Sequence, residues 1–556
     1  MPNFLLPFIN LADLDGTNGF RLDGINVADF SGGTVSNAGD VNGDGFDDII
    51  IAAASGNLRA GESYVVFGAA GGFAPSQSLA SLDGTNGFRI DGIDGLDFSG
   101  GSVSSAGDVN GDGFDDVIIG ASGGDPNGLD LAGESYVVFG AAGGFAPSLS
   151  LDTLDGTNGF RIDGIDRGDG SGQSVSSAGD VNGDSFDDVI IGAFTTDSSG
   201  NSGAIESYVV FGAAGGFAPS FSLDTLDGTN GFRIDGIDAF SEVSVSSAGD
   251  VNGDGFDDVI IGAPGRELAG ESYVVFGAAG GFAPSLSLAD LDGTNGFRLD
   301  GIDSGDQNGF SVSSAGDVNG DGFDDIIIGA IGANPNGNFQ AGESYVVFGA
   351  AGGFTPSFSL DTLDGTNGFR IDGIDRFDRS GESVSSAGDV NGDGFDDIII
   401  GAIGADPNGN NLAGESYVVF GAAGGFAPSF SLDTIDGTNG FRIDGTDQTD
   451  RSGESVSSAG DVNGDGFDDL IIGAGGTNSN RGESFVVFGG PSFQTIVQGT
   501  QGEDMLTGSS GSDSFTLLGG NDTLFAGQGD DLALGGDGDD ISVSYTHLTL
   551  PTTPYV

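Results

Sequence analysis

Short apolar runs alternate with Gly, Asp and Ser along the chain, and the alternation recurs in a fixed order. In the second unit the runs are Gly87–Asp91 (GFRID), Ser102–Ser105 (SVSS), Asp116–Gly120 (DVIIG) and Glu134–Phe139 (ESYVVF). Each is rich in Val, Ile, Phe or Tyr and is bounded by turn-forming residues, which predicts β-strands. No window sustains a helical period. The expected fold class is all-β.

The segment Asp-Val-Asn-Gly-Asp starts at Asp40, Asp108, Asp180, Asp250, Asp317, Asp389 and Asp461, at intervals of 68, 72, 70, 67, 72 and 72 residues. A solenoid usually has shorter repeats. Independent β-sandwiches are disfavoured, because about 70 Gly-rich residues make a marginal core without disulfides. Four strands in each of seven units suit a seven-bladed β-propeller, expected over residues 1–490. The chain opens with a GFRLD strand (Gly19–Asp23), and no GFRID follows the last SFVVF run (Ser484–Phe488). The first strand is therefore expected to complete the seventh blade and close the ring, protecting its edges.

Each unit repeats a D-x-N-x-D-G-x-x-D loop, first seen as Asp40-Val41-Asn42-Gly43-Asp44-Gly45-Phe46-Asp47-Asp48. Side-chain oxygens at positions 1, 3 and 5, a backbone carbonyl at 7 and a carboxylate at 9 can surround a hard cation, and glycine at 6 permits the sharp turn. The expected ligands are Asp40, Asn42, Asp44, Phe46 and Asp48, then Asp108, Asn110, Asp112, Phe114 and Asp116, then Asp180, Asn182, Asp184, Phe186 and Asp188. They continue through Asp250, Asn252, Asp254, Phe256 and Asp258, and through Asp317, Asn319, Asp321, Phe323 and Asp325. Asp389, Asn391, Asp393, Phe395 and Asp397 follow, and then Asp461, Asn463, Asp465, Phe467 and Asp469. Position 12 is Ile51, in a strand-like run, where an EF-hand would carry Glu in a helix. Ca²⁺ suits such a site better than Mg²⁺, which demands a tighter octahedron and keeps its waters. Asn, Asp and Gly also favour plain turns, but seven copies in register argue for a site. Ser185 replaces the glycine at position 6 of the third loop, which marks that site as the weakest.

Charge sharpens this picture. Fourteen arginines and no lysine oppose 84 acids, a formal net charge of -70. A fold this acidic needs divalent cations to limit its self-repulsion. Nucleic acid is excluded as a partner, since no basic face exists to bind it. No apolar run approaches a membrane span. Cysteine is absent, so no disulfide holds the repeats. Residues Met1 to Asn10 lack the basic n-region and cleavage site of a secretory signal.

The pattern GFRIDG…SVSSAGDVNGDGFDDVIIGAP, complete in the Phe232–Pro264 unit, resembles the FG-GAP repeat of integrin α subunits and related bacterial proteins, and covers roughly residues 13–490. The resemblance implies one seven-repeat propeller with Ca²⁺ in the loop between the first two strands of a blade. Integrin blades carry calcium in only part of the ring, whereas all seven units have the motif here. A full Gly-Ala-Pro survives only at Gly262-Ala263-Pro264. With no inserted domain and no membrane span, integrin-like signalling does not carry over.

From Gly499 the period becomes nine, with Asp504, Asp513, Asp522, Asp531 and Asp540 in step and Gly502, Gly511, Gly520, Gly529 and Gly538 beside them. A flexible Gly/Asp linker is the bland alternative. The nonapeptides resemble RTX (haemolysin-type) calcium-binding repeats, expected over 491–543 as a short parallel β-roll that binds Ca²⁺ through those five aspartates. The resemblance implies bacterial type I secretion and folding on meeting external Ca²⁺. The tail, Ser544–Val556, has no Gly and no acid and holds the only histidine, His547, and reads as a truncated or mis-joined frame.

Without cysteine, lysine or a histidine among the repeats, most nucleophile–base pairs are excluded. Paired carboxylates could still hydrolyse glycosides, which leaves a carbohydrate-active enzyme as the lesser alternative. The recurring acids belong to the loops, however, and no unique pair stands out, so the chain is expected not to be an enzyme. Counting strands from SVSS, the first-to-second and third-to-fourth connections share one face of the ring. The other face differs between units, at Asn57–Ala60, Gly123–Ala132, Phe194–Ile205 and Ile331–Ala341. Variation grouped on one face suits recognition of an extracellular protein or polysaccharide. A structural spacer of a surface layer or matrix is the alternative. Arg167-Gly168-Asp169 spells RGD on that face, as this composition produces by chance.

Overall fold

In a computed structural model, every SVSSAG segment becomes the innermost strand of a blade. Described residues are 8–490, except 197–201, 239–242, 266–267 and 477–480, together with seven short strands beyond them. The first blade runs antiparallel from the centre outward through Thr34–Gly39, Asp48–Ala53, Glu62–Val66 and Gly87–Asp91. Each innermost strand touches those of both neighbouring blades, and Thr34–Gly39 meets Ser455–Gly460 to complete the circle. The seventh blade takes its outer strand, Gly19–Asp23, from the start of the chain, pairing Gly19 with Val487 and Asp23 with Glu483. The expected closure is present. Among the described residues, helix is limited to the single turn Gly56–Arg59 and isolated 3-10 turns.

A fifth strand, not anticipated from the sequence, covers the outer edge of every blade. Ser76–Ser78 lies parallel to Gly19–Asp23, Ser148–Ser150 to Gly87–Asp91, and Phe8–Asn10 to Gly440–Asp444. Six come from the connection between the third and fourth strands of the following blade, and Phe8–Asn10 comes from the segment that leads into the fourth strand of the seventh blade. A three-residue strand has too little pattern to be read from sequence. The inner edges are covered by side chains. The Val456 N–H donates to Ser383 Oγ at 3.0 Å and Val35 N–H to Ser455 Oγ at 3.0 Å, so the first serine of SVSSAG serves the next blade.

The cores lie between blades. Second strands such as Asp48–Ala53 are buried at every position, as expected where both sheet faces are covered. Ile49 and Ile51 face the seventh blade with Phe20 and Tyr64, while Ile50 faces the second with Val65 and Phe88. Phe88 stacks on Phe145 of the next connection, with centroids 4.5 Å apart, and Phe67 tilts against both. Tyr64 donates to Glu62 at 2.7 Å, and Arg89 pairs with Asp91 at 2.6 Å, which accounts for the repeated Glu, Tyr and Arg.

Beyond 490 the strands form two parallel sheets. Ile496 pairs with Ser514 and Met505 with Thr523, an 18-residue step that places two nonapeptides in each turn. This is a β-roll. Ile541–Ser544 and His547–Thr549 add strands to it, so the roll's pairing runs past residue 543.

Ring closure should carry as much energy as any other seam. Phe20→Ala and Phe232→Ala, both in equally buried positions, are each expected to cost about 3–5 kcal/mol in urea unfolding with calcium present. A negligible cost for Phe20→Ala alone would mean an open ring.

Candidate metal centre

Each D-x-N-x-D-G-x-x-D loop folds around its first aspartate. The Asp40 carboxylate accepts from the N–H groups of Gly43, Asp44 and Gly45 at 2.7, 3.0 and 2.9 Å, and Asp44 accepts from Phe46 N–H at 3.1 Å. Gly45 holds φ +89°, the left-handed conformation the turn requires. Ser185 adopts φ 72° at the same place, so the third loop keeps the shape at a cost in strain.

Position 9 fastens the loop to the sheet. Asp48 is fully buried and accepts from Val41 N–H at 3.1 Å and Gly68 N–H at 2.9 Å, while the Asn42 amide stands 3.3 Å away. Burial, aided by the charges of Asp44 and Asp40, pushes its carboxyl up to about 8. Asp116, Asp188, Asp258, Asp325 and Asp469 are pushed up to about 8 by the same causes, and Asp397 lies well above the ordinary range. Among the described residues no arginine pairs with a position 9 carboxylate; the ion pairs of the blades are made with other acids. In the sixth loop Asn391 Oδ1 is buried with no hydrogen-bond partner.

These observations fit a cation. A buried carboxylate without a counter-charge is costly, and an orphaned amide oxygen at position 3 is where a hard ion would draw a ligand. The expected residues at 1, 3, 5, 7 and 9 are gathered in one loop in all seven blades. Among the described residues, however, no three acids stand converged as a finished centre, because the carboxylates at 1 and 5 turn to the loop's own N–H groups. In the β-roll, Asp504, Asp513, Asp522 and Asp540 lie outside the described residues, and Asp531 falls within the strand Asp530–Leu534.

One residue in every loop was missed. Asp47, at position 8, turns away from its own loop and accepts at 2.8 Å from the N–H of Asp461, position 1 of the preceding loop. Asp115, Asp187, Asp257, Asp324, Asp396 and Asp468 make the same bond around the ring. Its repetition beside position 9 was the available signal. The RGD tripeptide is not displayed, since Asp169 is 2 % exposed and Arg167 pairs with Asp130.

The FG-GAP repeat model matches residues 31–66, 99–138, 243–275, 308–347, 380–419 and 452–487. The RTX calcium-binding nonapeptide repeat matches 498–533 and 516–542. Integrin alpha-4 of Xenopus laevis is 27% identical over 278 residues, 49% of this chain and 24% of that protein. Integrin alpha pat-2 of Caenorhabditis elegans is 32% identical over 237 residues, 41% of this chain and 17% of its own length. A phosphatidylinositol-glycan-specific phospholipase D of Bos taurus is 29% identical over 190 residues, covering 34% of this chain and 21% of that enzyme. The chain thus spans at most 24% of the length of these relatives. The nonapeptide repeats are of a calcium-binding kind, and Ca²⁺ is the cofactor they indicate.

Strain at position 6 is separable from contact, because a Cβ on Gly113 would meet nothing within 4 Å. Ser185→Gly should stabilise the chain by about 1 kcal/mol and Gly113→Ser should destabilise it by about the same, both read from denaturant midpoints at fixed calcium. Opposite signs would show that the left-handed turn is not what position 6 demands.

Proposed function

We propose that this chain of FG-GAP and RTX calcium-binding repeats is a secreted, non-catalytic binding protein, folded and stabilised by Ca²⁺, that recognises an extracellular protein or polysaccharide with the propeller face opposite the calcium loops. The observation that carries the reading is a constant backbone holding changing side chains. Leu96 N–H bonds Arg59 O, Gly168 N–H bonds Asp130 O, Phe377 N–H bonds Phe339 O and Thr449 N–H bonds Asn411 O, at 2.9, 3.1, 3.1 and 3.0 Å. Each bond ties a second-to-third connection to the neighbouring fourth-to-first connection. The side chains at these tips share no chemistry, and a framework that fixes backbone while freeing side chains suits recognition.

Exposed large apolar residues support the same face. Among the described residues of the propeller, all of those except Phe8 sit on these connections, including Val27, Leu96, Leu131, Leu268, Phe339 and Phe377. Phe339 and Phe377 meet edge to face at 5.5 Å, and Arg376 lies over both rings. Aromatic and arginine side chains dominate binding hot spots. The calcium face instead repeats Gly-Ala-Ala-Gly-Gly almost unchanged.

The RTX module favours export of an unfolded chain through type I secretion, with folding driven by calcium outside the cell. Among the described residues no helix is long and apolar enough to cross a membrane. The integrin matches favour an adhesive role over that of a passive spacer.

Two measurements test the reading. A calcium excess of about a hundredfold over Kd should add about 2.7 kcal/mol per occupied site relative to chelator, read as a large rise in the thermal midpoint; equal melting in chelator would refute calcium-driven folding. On arrays of glycans and matrix proteins, Phe339→Ala/Phe377→Ala should lower binding at least tenfold with the thermal midpoint unchanged, and Ala351→Ser on the other face should not. Equal effects from the two faces would place the ligand elsewhere.

A further inference from the structure

We propose that the position 8 aspartates couple each calcium loop to the one before it, so that the loops load as one cooperative ring. This rests on the reading that the loops take Ca²⁺. The argument begins with how much of a loop belongs to its neighbour. In the third loop, position 1 is Asp180, and its N–H is held by Asp257 Oδ2 of the fourth loop at 2.8 Å. Asp257 N–H reaches back to Asp180 O at 3.4 Å, and Ala278 N–H donates to Val181 O, position 2, at 3.0 Å. The Phe256 ring lies across Gly183, position 4, so closely that a Cβ there would fall 2.2 Å from it.

The third loop is therefore clamped at positions 1, 2 and 4, largely by residues 7 and 8 of the fourth. Those two residues stand immediately before the position 9 carboxylate, and position 7 is itself an expected carbonyl ligand. Whatever orders positions 7 to 9 of one loop to receive an ion also fixes position 8, and with it the backbone of the first ligand in the preceding loop. The relation is reciprocal, because a coupling free energy acts equally in both directions. Ordering already supplied by one ion need not be supplied by the next.

The pattern closes without a gap. Asp47 holds Asp461 N–H at 2.8 Å across the seam between the first and seventh blades, and Phe46 covers Gly464 there. No loop is terminal, so none is left uncoupled. The position 8 carboxylate is spent on a neighbour's N–H, which makes it a positioning residue and separates it from the expected ligands.

The third loop, with Ser185, gives peptides unlike the others, and so does the first, which runs into Ile49-Ile50-Ile51-Ala52. Hydrogen exchange of the full-length protein, followed by mass spectrometry across a calcium titration, can therefore read them separately. Asp254→Ala removes a ligand of the fourth loop only. It is expected to raise the calcium midpoint of the third loop by about fivefold or more, the lower end of ordinary coupling. In an Asp257→Ala background the same substitution should leave the third loop unmoved, and this non-additivity is the coupling. Asp257→Asn, which keeps an acceptor, should restore it. Should Asp257→Ala fail to fold, the Asp254→Ala and Asp257→Asn comparison still decides. Calcium protection of the third loop that is indifferent to Asp254→Ala would overturn the coupling. No calcium protection in any loop would overturn the calcium reading beneath it.

Discussion

A carboxylate withdrawn from water must find a partner, and this molecule withdraws one at the same place in each of seven blades. The position 9 aspartate joins the first-to-second connection to the third-to-fourth, through N–H groups from both. Hydrogen bonds alone do not offset the burial, since the nearby Asp40 and Asp44 worsen it. The ring is thus assembled around a deficit of positive charge. Chains with buried ion pairs carry their counter-ions as side chains; among the described residues no arginine is paired with a position 9 carboxylate here.

Edges are the second constraint on a sheet protein. Each blade has an inner edge facing the axis and an outer edge facing water, and each is covered by something from a neighbouring blade. Serine hydroxyls serve the inner N–H groups, and three-residue parallel strands serve the outer ones. Together with the interdigitated Phe, Ile and Val of the seams, these devices make adjacent blades mutually dependent without a disulfide. Most of the molecule's order is held between repeats.

The sequence made strands, blade number, ring closure and the position of the Asp-rich loops legible, because each leaves a pattern repeated around the ring. DVIIG reads as a strand from its β-branched run, and GFRLD at Gly19 reads as a closing strand from its phase. Two features escaped for physical reasons. Ser76–Ser78 is a strand only because an outer edge lies beside it, and its own residues carry no apolar alternation. Asp47 falls within the D-x-N-x-D-G-x-x-D pattern, and sequence shows that an acid recurs there but not which way its side chain turns. The convergence expected of positions 1, 5 and 9 was also only partly legible, because Asp40 and Asp44 satisfy backbone donors in their own loop.

The clasp between Gly19–Asp23 and Glu483–Val487 has a mechanical consequence. Gly19 sits opposite Val487, so the chain enters and leaves the ring at the same end of an antiparallel pair. Tension between the two flanking segments would act on that pair as on a zipper, loading its hydrogen bonds one at a time. It would not load them together, as shear does. Once Phe8–Asn10 has left the outer edge of the sixth blade, a propeller fastened this way opens at one defined place when pulled, at the outer strand of the seventh blade.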